Sequence, residues 1–279
     1  MKMRFFFLFF PLVIYHFSYA SSTYEVQTLP GCPGGKLHVA TFDFKADFEN
    51  KYGLMVISDR SRSLADAESF IRKKGLEPLA ILNAGYFDNA HFPEKPLSYF
   101  KSSLNSAEAI GPSIRGPRSC MISQAKTHHF EMKLDTDENF KVFHQAPDVE
   151  IFCAGPALVE QKKDVTSLRL CSEHFEPRCR PDHSDPGLNF DFSYPRAGTC
   201  FTSTGEFKIF AALSAEKKCG ISGKEMTAFM LQAGCEFGMN HDGGSSVKFY
   251  YGNQNGLVVR ETGTDPRRTV PVWIAVFSR

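Results

Sequence analysis

The sequence predicts an α+β fold, a single domain in which a few helices pack on a mixed, strand-rich sheet. Short runs that alternate apolar and polar residues, or are continuously apolar, recur along the chain and are typical of strands. Two N-terminal capping patterns, at Ser63 and Ser222, each open an amphipathic helix. No repeat or internal linker divides the chain, so we interpret the sequence after a short leader as one domain.

The first twenty residues are typical of a secretory signal peptide. Lys2 and Arg4 make a basic start, residues 5–17 are almost wholly apolar, and small residues precede a cleavage site after Ala20. The alternative is a membrane anchor, but the apolar run is shorter than the roughly 20 residues that a span needs. We therefore expect an exported protein, periplasmic or secreted, with its folded domain over residues 35–279 and no membrane segment after cleavage.

The charge balance and the cysteines narrow the partners and the compartment. The net charge is +1 and acidic and basic residues are interspersed, so the sequence does not favour a nucleic-acid partner. All eight cysteines follow the leader, and in an oxidising compartment an even number favours disulfides. Cys171 and Cys179, across a short loop, are the best local pair. The alternative, a metal site of Cys171, His174, Cys179 and His183, fits no common zinc spacing.

Strands and one helix are expected in the first part of the folded domain. Residues 36–44 alternate as a half-buried strand does, whereas residues 54–57 and 79–82 are short continuous apolar runs of buried strands. A helix is predicted to begin after Ser63 and to end at Gly75. Beyond it, the segments 92–118 and 171–195 lack periodicity and are interpreted as surface loops, the first a candidate lid and the second bridged by cysteines.

The second half contains further predicted strands. They are expected over residues 120–123, 129–134, 149–159 and 270–277, together with a hairpin that turns at Thr204-Gly205 and continues as a strand over residues 207–213. A helix that begins at Ser222 is predicted to end near residues 234–238 and to lead directly into the most informative stretch of the chain.

That stretch places polar groups and glycines between the helix and a β-type run. It contains, in order, Asn240, His241, Asp242, Gly243 and Gly244. Glycine lets the backbone turn sharply and lets a ligand approach the main chain closely. The pattern therefore predicts a carboxylate presented at a turn beside a small ligand. The alternative is that Asp242 only braces the turn through its own backbone.

Three other polar residues lie at predicted strand ends. Asn83 and Asp88 follow the buried run 79–82, where they are placed to line a crevice or, alternatively, to bond locally within a tight turn. Arg196 lies at a strand entrance, where a guanidinium group can bind an oxyanion in a bidentate manner or form a surface ion pair. We expect Asn83, Arg196 and Asp242 to meet at one rim of the sheet.

Four segments, taken in order, carry a family resemblance. They are residues 81–88 (Ile-Leu-Asn-Ala-Gly-Tyr-Phe-Asp), 155–159 (Gly-Pro-Ala-Leu-Val), 195–198 (Pro-Arg-Ala-Gly) and 239–246 (Met-Asn-His-Asp-Gly-Gly-Ser-Ser). This ordered set resembles the phosphodiester glycosidase family, from about residue 35 to the end of the chain. There are departures. Ala84 and Ser245 stand where glycines are usual, and the arginine segment lacks its Thr-Ala-Ile-Gly continuation.

The resemblance implies a hydrolase that cleaves a sugar-1-phosphodiester, such as an N-acetylglucosamine phosphodiester. In that case Asp242 is the nucleophile, base or charge stabiliser, Arg196 is the phosphate clamp, and Asp88 is a second carboxylate that acts as acid or base. The expected substrate-binding groups are Asn83 and Asn240, the backbone N–H groups of Gly243 and Gly244, and, more weakly, His241. If the chain alternates as a strand there, His241 points away from Asp242.

The sequence leaves two other functions open as alternatives. The same rim suits a secreted protein that binds a glycan or a cell-envelope polymer without cleaving it. A serine hydrolase that uses Ser245 is disfavoured because no Gly-x-Ser-x-Gly elbow is present. The partner in either main case is a sugar phosphodiester or a glycan. No definite cofactor is indicated, and a divalent cation remains an open alternative.

Overall fold

The structure is a computed structural model. It describes residues 22–44, 52–57, 62–84, 87–88, 95–96, 100–101, 119–124, 129–134, 149–168, 190–216, 219–253 and 256–278. Residues 87–88, 95–96, 100–101, 119–124, 129–134 and 149–153 are described by their backbone alone. The predicted signal peptide, the Cys171–Cys179 pair and its metal-site alternative lie outside these residues, as does most of the two predicted loops.

Two large sheets dominate the described part of the chain. The seven-stranded sheet has the order β1 (Ser22–Thr28), β2 (Lys36–Asp43), β14 (Glu206–Leu213), β13 (Arg196–Thr202), β15 (Cys235–Asn240), β11 (Ala157–Glu160) and β12 (Lys163–Asp164). The five-stranded sheet has the order β17 (Val258–Thr262), β16 (Lys248–Gly252), β4 (Glu77–Asn83), β18 (Trp273–Ser278) and β3 (Tyr52–Ile57).

Two smaller sheets contain the other described strands. A four-stranded sheet has the order β7 (Phe100–Lys101), β10 (Val149–Ala154), β8 (Ser119–Gln124) and β9 (His129–Leu134), and a pair joins β5 (Phe87–Asp88) to β6 (Lys95–Pro96). The predicted strands over residues 120–123, 129–134 and 149–159 are thereby confirmed, the last broken at Gly155-Pro156 into β10 and β11.

Both predicted helices are present with the caps that the sequence indicated. Helix α1 (Leu64–Lys73) begins at a capping box made by Ser63 and Asp66. Helix α2 (Gly223–Gln232) begins at a capping box made by Ser222 and Glu225. Each box satisfies N–H groups that the first helical turn leaves without a partner.

The expectation of one mixed sheet is wrong. Every strand pair between described residues is antiparallel, and the strands divide into two large sheets instead of one. The strand–helix–strand units β3–α1–β4 and β14–α2–β15 do connect strands that run in the same direction. A third strand, β18 or β13, lies between the two strands of each unit and runs opposite to both.

In the described part of the chain, the apolar core forms three layers between four layers of secondary structure. The central layer fills the space between the two large sheets, with Phe42 and Ile209 from one and Leu82 and Ile274 from the other. A second layer packs α2, through Met226, on the outer face of the seven-stranded sheet. A third packs α1, through Ile71, on the outer face of the five-stranded sheet. Burying both faces of each sheet in this way removes a large apolar area from water.

Two disulfides between described cysteines confirm the prediction drawn from the cysteine count. Cys32–Cys219 ties the turn between β1 and β2 to the segment before α2, and Cys200–Cys235 joins the neighbouring strands β13 and β15. The backbone register of β8 and β10 also sets Cys120 opposite Cys153. Among the described residues, no helix is long and apolar enough to cross a bilayer.

Buried histidines should make the stability of the protein sensitive to acid. His38 lies between the two large sheets with its Nδ1 2.7 Å from the hydroxyl of Tyr24, and burial lowers its pKa from 6.5 to about 4. As pH falls through 6.5, His38 becomes protonated in the unfolded chain but stays neutral in the folded protein. The free energy of unfolding therefore decreases between about pH 6.5 and pH 4. Between pH 7 and pH 5 the free energy of unfolding of His38→Gln should therefore decrease by about 2 kcal/mol less than that of wild type, as measured by urea unfolding.

The control for this prediction is Tyr24→Phe. It removes the hydroxyl next to the imidazole but keeps the titrating group, so its stability should still fall between pH 7 and pH 5. Because Asp242 has a raised pKa, its protonation in the folded state opposes the fall in every variant and cancels in the comparison. An equal pH dependence in His38→Gln and wild type would show that His38 does not contribute.

Candidate active site

The ends of three strands meet at one edge of the two large sheets. Asn83 ends β4 in the five-stranded sheet, while Arg196 begins β13 and Asn240 ends β15 in the seven-stranded sheet. The chain leaving β15 runs beside the start of β13, because the N–H of Gly244 donates to the carbonyl of Pro195 at 2.8 Å. The three segments that carry Asn83, Arg196 and Asp242 are thus brought together.

Asn83 ties the two sheets together across this edge. Its Nδ2 donates to the main-chain carbonyl of Asp242 at 2.8 Å, and its Oδ1 accepts from the N–H of Lys248 at 3.0 Å. The residue is only 1% exposed. Its amide is therefore satisfied at both ends, and it holds the turn that carries Asp242 at a fixed distance from β4.

The carboxyl group of Asp242 has the properties of a reactive acid or base. The residue keeps an intermediate exposure, although its carboxyl lies among many protein atoms. Burial raises its pKa from 3.8 to about 6, against the opposing effects of the Ser246 hydroxyl, the positive charge of Arg268 and the N–H of Gly243. Such a group changes protonation state close to neutral pH, which suits proton transfer or charge stabilisation.

The guanidinium group of Arg196 faces main-chain carbonyls. Its Nε donates to the carbonyl of Ile221 at 2.7 Å, and one terminal nitrogen donates to the carbonyls of Phe190 at 3.5 Å and Phe192 at 3.1 Å. The group also stacks on the ring of Phe190 at 4.9 Å. In this arrangement Arg196 fixes the chain over residues 190–192 against the segment before α2.

Asn240 and His241 lie beneath the turn. Asn240 is 2% exposed and its Nδ2 donates to the carbonyls of Gly155 at 3.3 Å and His241 at 2.8 Å. His241 is fully buried, its Nε2 lies 2.8 Å from the hydroxyl of Thr199, and burial lowers its pKa to about 3. These two side chains therefore support the turn from inside, with a neutral imidazole, and do not line its accessible side.

The glycines of the turn differ from the expectation that their N–H groups face a ligand. The N–H of Gly243 bonds to the carboxyl of Asp242, and the N–H of Gly244 is taken by Pro195. The glycines instead let the turn lie close to the start of β13 and adopt a backbone conformation that other residues rarely adopt. A Cβ on Gly243 would lie 2.9 Å from the Pro195 carbonyl, and Gly244 has a φ of +61°.

Asp88 lies in β5, and only its backbone is described.

Three residues near Asp242 were not predicted as site residues. Ser246 donates to its carboxyl, and the charge of Arg268 lowers its pKa. The ammonium group of Lys248 donates to the carbonyls of Ser245, at 3.2 Å, and Asp265. Ser246 lies in the glycine motif and could have been found there, whereas Arg268 has no sequence signal of its own. Among the described side chains, no group of three or more His, Cys, Asp or Glu is arranged to hold a metal ion.

The fold and the site define a class of protein: two antiparallel sheets lie between helices, and a carboxyl group of raised pKa at the strand ends is the candidate reactive group. The sequence assigns the family. Residues 79–277 match the family described as phosphodiester glycosidase, and the chain belongs to that family. No curated protein matches the sequence.

Solved structures confirm the fold. The catalytic domain of zebrafish N-acetylglucosamine-1-phosphodiester alpha-N-acetylglucosaminidase, auto-inhibited by its pro-peptide, has a TM-score of 0.64 and 12% identity, over 92% of this chain and 83% of that one. A hypothetical protein from Synechocystis has a TM-score of 0.60 and 14% identity over 93% of this chain, which spans 62% of that one. A protein of Burkholderia pseudomallei, described as exported, has a TM-score of 0.57 and 12% identity, over 87% and 74% of the two chains.

Proposed function

We propose that this protein is an exported hydrolase that cleaves a sugar-1-phosphodiester. Membership of the phosphodiester glycosidase family supports the reaction class. The observation that carries the proposal is the carboxyl of Asp242, whose pKa is raised to about 6 on a turn that Asn83 holds in place. A buried carboxyl of this kind is destabilised in its charged form, which is the form that interacts most strongly with a developing cation.

The reaction breaks the bond between the anomeric carbon of the sugar and a phosphate oxygen. Water supplies the hydroxyl group to the carbon and a proton to the products, which are the free sugar and a phosphomonoester. The transition state resembles an oxocarbenium ion, and an ionised Asp242 stabilises it as nucleophile, base or nearby negative charge. Phosphate is already a good leaving group, so a cation that holds its charge matters more than a strong acid. Asp88 is proposed as the second carboxylate, acting as acid or base.

Export is part of the proposal. Disulfides are typical of oxidising compartments, and two are present between described cysteines. The first twenty residues are proposed to be the signal peptide that directs the chain to the periplasm or out of the cell. The zebrafish relative makes an N-acetylglucosamine phosphodiester the first substrate to test.

A turnover screen tests this function. The purified protein is incubated with a panel of sugar-1-phosphodiesters, with and without a chelator, and the release of free sugar is measured. Cleavage of at least one member supports the proposal, and loss of cleavage with chelator would identify a divalent cation as necessary. The other candidate is a glycan-binding protein without catalysis. Binding of a glycan with no cleavage across the panel would support that candidate and reject the hydrolase.

The activity should depend on pH through Asp242. All three roles proposed for this residue need its ionised form, which predominates above its pKa of about 6. We therefore expect kcat/KM to rise with pH along a limb with an apparent pKa of about 6. Ser246→Ala removes a hydrogen bond that lowers this pKa, so the limb should move to higher pH. A limb that falls through pH 6, or that does not move in Ser246→Ala, would contradict this assignment.

A further inference from the structure

A cleft of about 340 Å³ lies between the outer strands of the two large sheets. Among the described strands, β1 is the outer strand of the seven-stranded sheet on this side and β17 that of the five-stranded sheet. Every second residue of a strand faces the same side, so β1, β2 and the chain through β17 each turn one row of side chains inward. The wall that these rows form contains Tyr24, Val26, His38, Leu257 and Val259. The volume is at the lower end of the range of small-molecule sites, about 300–1,000 Å³.

His38 brings a hydrogen-bonding group without a partner to this wall. The residue is 1% exposed, and its Nδ1 lies 2.7 Å from the hydroxyl of Tyr24. Its Nε2 is buried and has no hydrogen-bond partner in the described structure. Donation of the Tyr24 hydroxyl proton to Nδ1 places the ring proton of a neutral His38 on Nε2, and we assign this tautomer. A buried N–H without an acceptor costs free energy, which an oxygen atom of a ligand would recover.

The charges around the cleft cancel. Burial lowers the pKa of His38 to about 4, so its imidazole is neutral at pH 7. The ammonium of Lys36 bonds to the carboxylate of Glu261 at 3.0 Å, and this ion pair, also part of the lining, joins the two sheets. A charged ligand would therefore enter an apolar cleft without a free counter-charge among the described lining residues, which is costly.

A sugar ring also fits this wall poorly. It would bring several hydroxyl groups to a surface on which Nε2 of His38 is the one buried side-chain nitrogen or oxygen of the described lining residues that lacks a partner. Most of those hydroxyls would lose their hydrogen bonds to water without replacement. The lining instead favours an uncharged, mainly apolar molecule with one acceptor oxygen.

The cleft is separate from the turn that carries Asp242. The register of the seven-stranded sheet sets His38 beside Ala211 and Ala211 beside Ala197, and the carbonyl of Ala197 accepts the N–H of His241. Three strand spacings therefore separate the main chains of His38 and His241, a distance of about 14 Å. A small molecule in the cleft would not occupy the candidate active site.

We propose that this cleft is a second ligand site, which takes an uncharged apolar molecule whose single carbonyl oxygen accepts from the Nε2–H of His38. The apolar body of the ligand packs on Val26, Leu257 and Val259, which are only partly buried in the protein alone. The site goes beyond the proposed hydrolysis and does not depend on it.

The probe for this site is acetophenone, which joins an aromatic ring to one carbonyl group. It is titrated into the full-length protein with isotope-labelled histidine, and the ring signals of His38 are followed by NMR. We expect a saturable shift with a Kd on the order of 1 mM, as is typical of a ligand with so few atoms. Benzoate, which has the same ring but a negative charge, should bind at least tenfold more weakly.

Two neighbouring valines of β17 provide the matched variants. Val259 lines the cleft, whereas Val258 is 44% exposed and, by strand alternation, faces the other way. Val259→Phe should fill the cleft and weaken acetophenone binding at least tenfold, while Val258→Phe should bind as wild type does. His38→Phe removes the donor and should weaken binding about fivefold, as measured by relaxation of the ligand signals.

The outcomes are separable from those of the hydrolase experiments. No saturable shift in wild type, or equal binding by wild type and Val259→Phe, would overturn the proposed site. Benzoate that binds as tightly as acetophenone would overturn the proposed ligand class. Asp242→Asn should bind acetophenone as wild type does. If no sugar phosphodiester is cleaved but acetophenone binding follows the predicted variant pattern, the hydrolase fails and the second site stands.

Discussion

Asp242→Asn is expected to abolish turnover of a sugar phosphodiester while leaving the protein folded. The amide keeps the shape of the carboxyl and can accept from Ser246 and from the N–H of Gly243, but it carries no charge to stabilise an oxocarbenium-like transition state. We expect kcat to fall by a factor on the order of 1,000 or more, as measured by release of free sugar at saturating substrate.

The same substitution should not destabilise the protein. Because burial raises the pKa of Asp242 from 3.8 to about 6, the ionised carboxyl opposes folding above pH 6. Replacing it by a neutral amide should therefore add up to about 3 kcal/mol to the free energy of unfolding at pH 8. Lower activity together with equal or higher stability is expected when a charged group that serves the reaction is unfavourable for folding.

Asp164→Asn is the matched control for this experiment. Asp164 is an exposed residue of β12, at the edge of the seven-stranded sheet, where it accepts the N–H of Thr166. Its replacement should leave turnover at the wild-type rate. Wild-type turnover in Asp242→Asn would remove Asp242 from the mechanism, and the charge that stabilises the transition state would have to come from another residue.

The local elements of this fold could be predicted from the sequence, and the sheet arrangement could not. Capping and turn residues fix α1, α2 and the hairpin at Gly205 within a few residues of chain, so short-range patterns are sufficient. The order strand, helix, strand in β3–α1–β4 and in β14–α2–β15 also follows from the local sequence patterns. The insertion of β18 between β3 and β4 depends on residues almost 200 positions away, and no local pattern in either unit indicates it.

Strand β15 shows where the prediction around the site failed. The sequence predicts that α2 continues to residues 234–238 and leads directly into the Asp242 motif, but α2 ends at Gln232 and Gly234 turns with a φ of +77°. Cys235–Asn240 then forms a central strand. Gly238 obscures this strand in the sequence, and a Cβ there would lie 2.6 Å from the sulfur of the buried Met230, which would have to shift. The packing of α2 on the sheet favours glycine at this position. Strand propensity alone disfavours glycine inside a strand, so the sequence pattern does not indicate β15.

The convergence of the site could be inferred from the sequence, while the direction of each side chain could not. Polar groups at the ends of buried strands indicated that Asn83 and Asp242 belong to one region, as their 2.8 Å hydrogen bond shows. Whether a polar group faces a ligand or the interior depends on which neighbours it meets after folding. Asn240 meets the carbonyl of Gly155, and the guanidinium of Arg196 meets that of Ile221. Neither partner is indicated by residue spacing.

Asn83→Asp should impair the site by disturbing the turn that carries Asp242. The new carboxylate can still accept from the N–H of Lys248, but an oxygen replaces the Nδ2 that donates to the carbonyl of Asp242 at 2.8 Å. Two acceptors then oppose each other at a position that is 1% exposed. We expect a loss of about 2–4 kcal/mol in the free energy of unfolding, because a buried charge replaces a satisfied amide.

Asn83→Asp should also change the pH dependence of catalysis. The added negative charge lies beside the turn and should raise the pKa of Asp242, which moves the ascending pH limb upward and lowers kcat/KM roughly tenfold or more near neutral pH. Asn253→Asp is the matched control, since Asn253 also accepts a main-chain N–H, that of Leu257, through its Oδ1 in a turn between β16 and β17. It should keep the wild-type pH profile. If Asn83→Asp folds and shows the same profile as Asn253→Asp, then the link from β4 does not set the position of the reactive carboxyl.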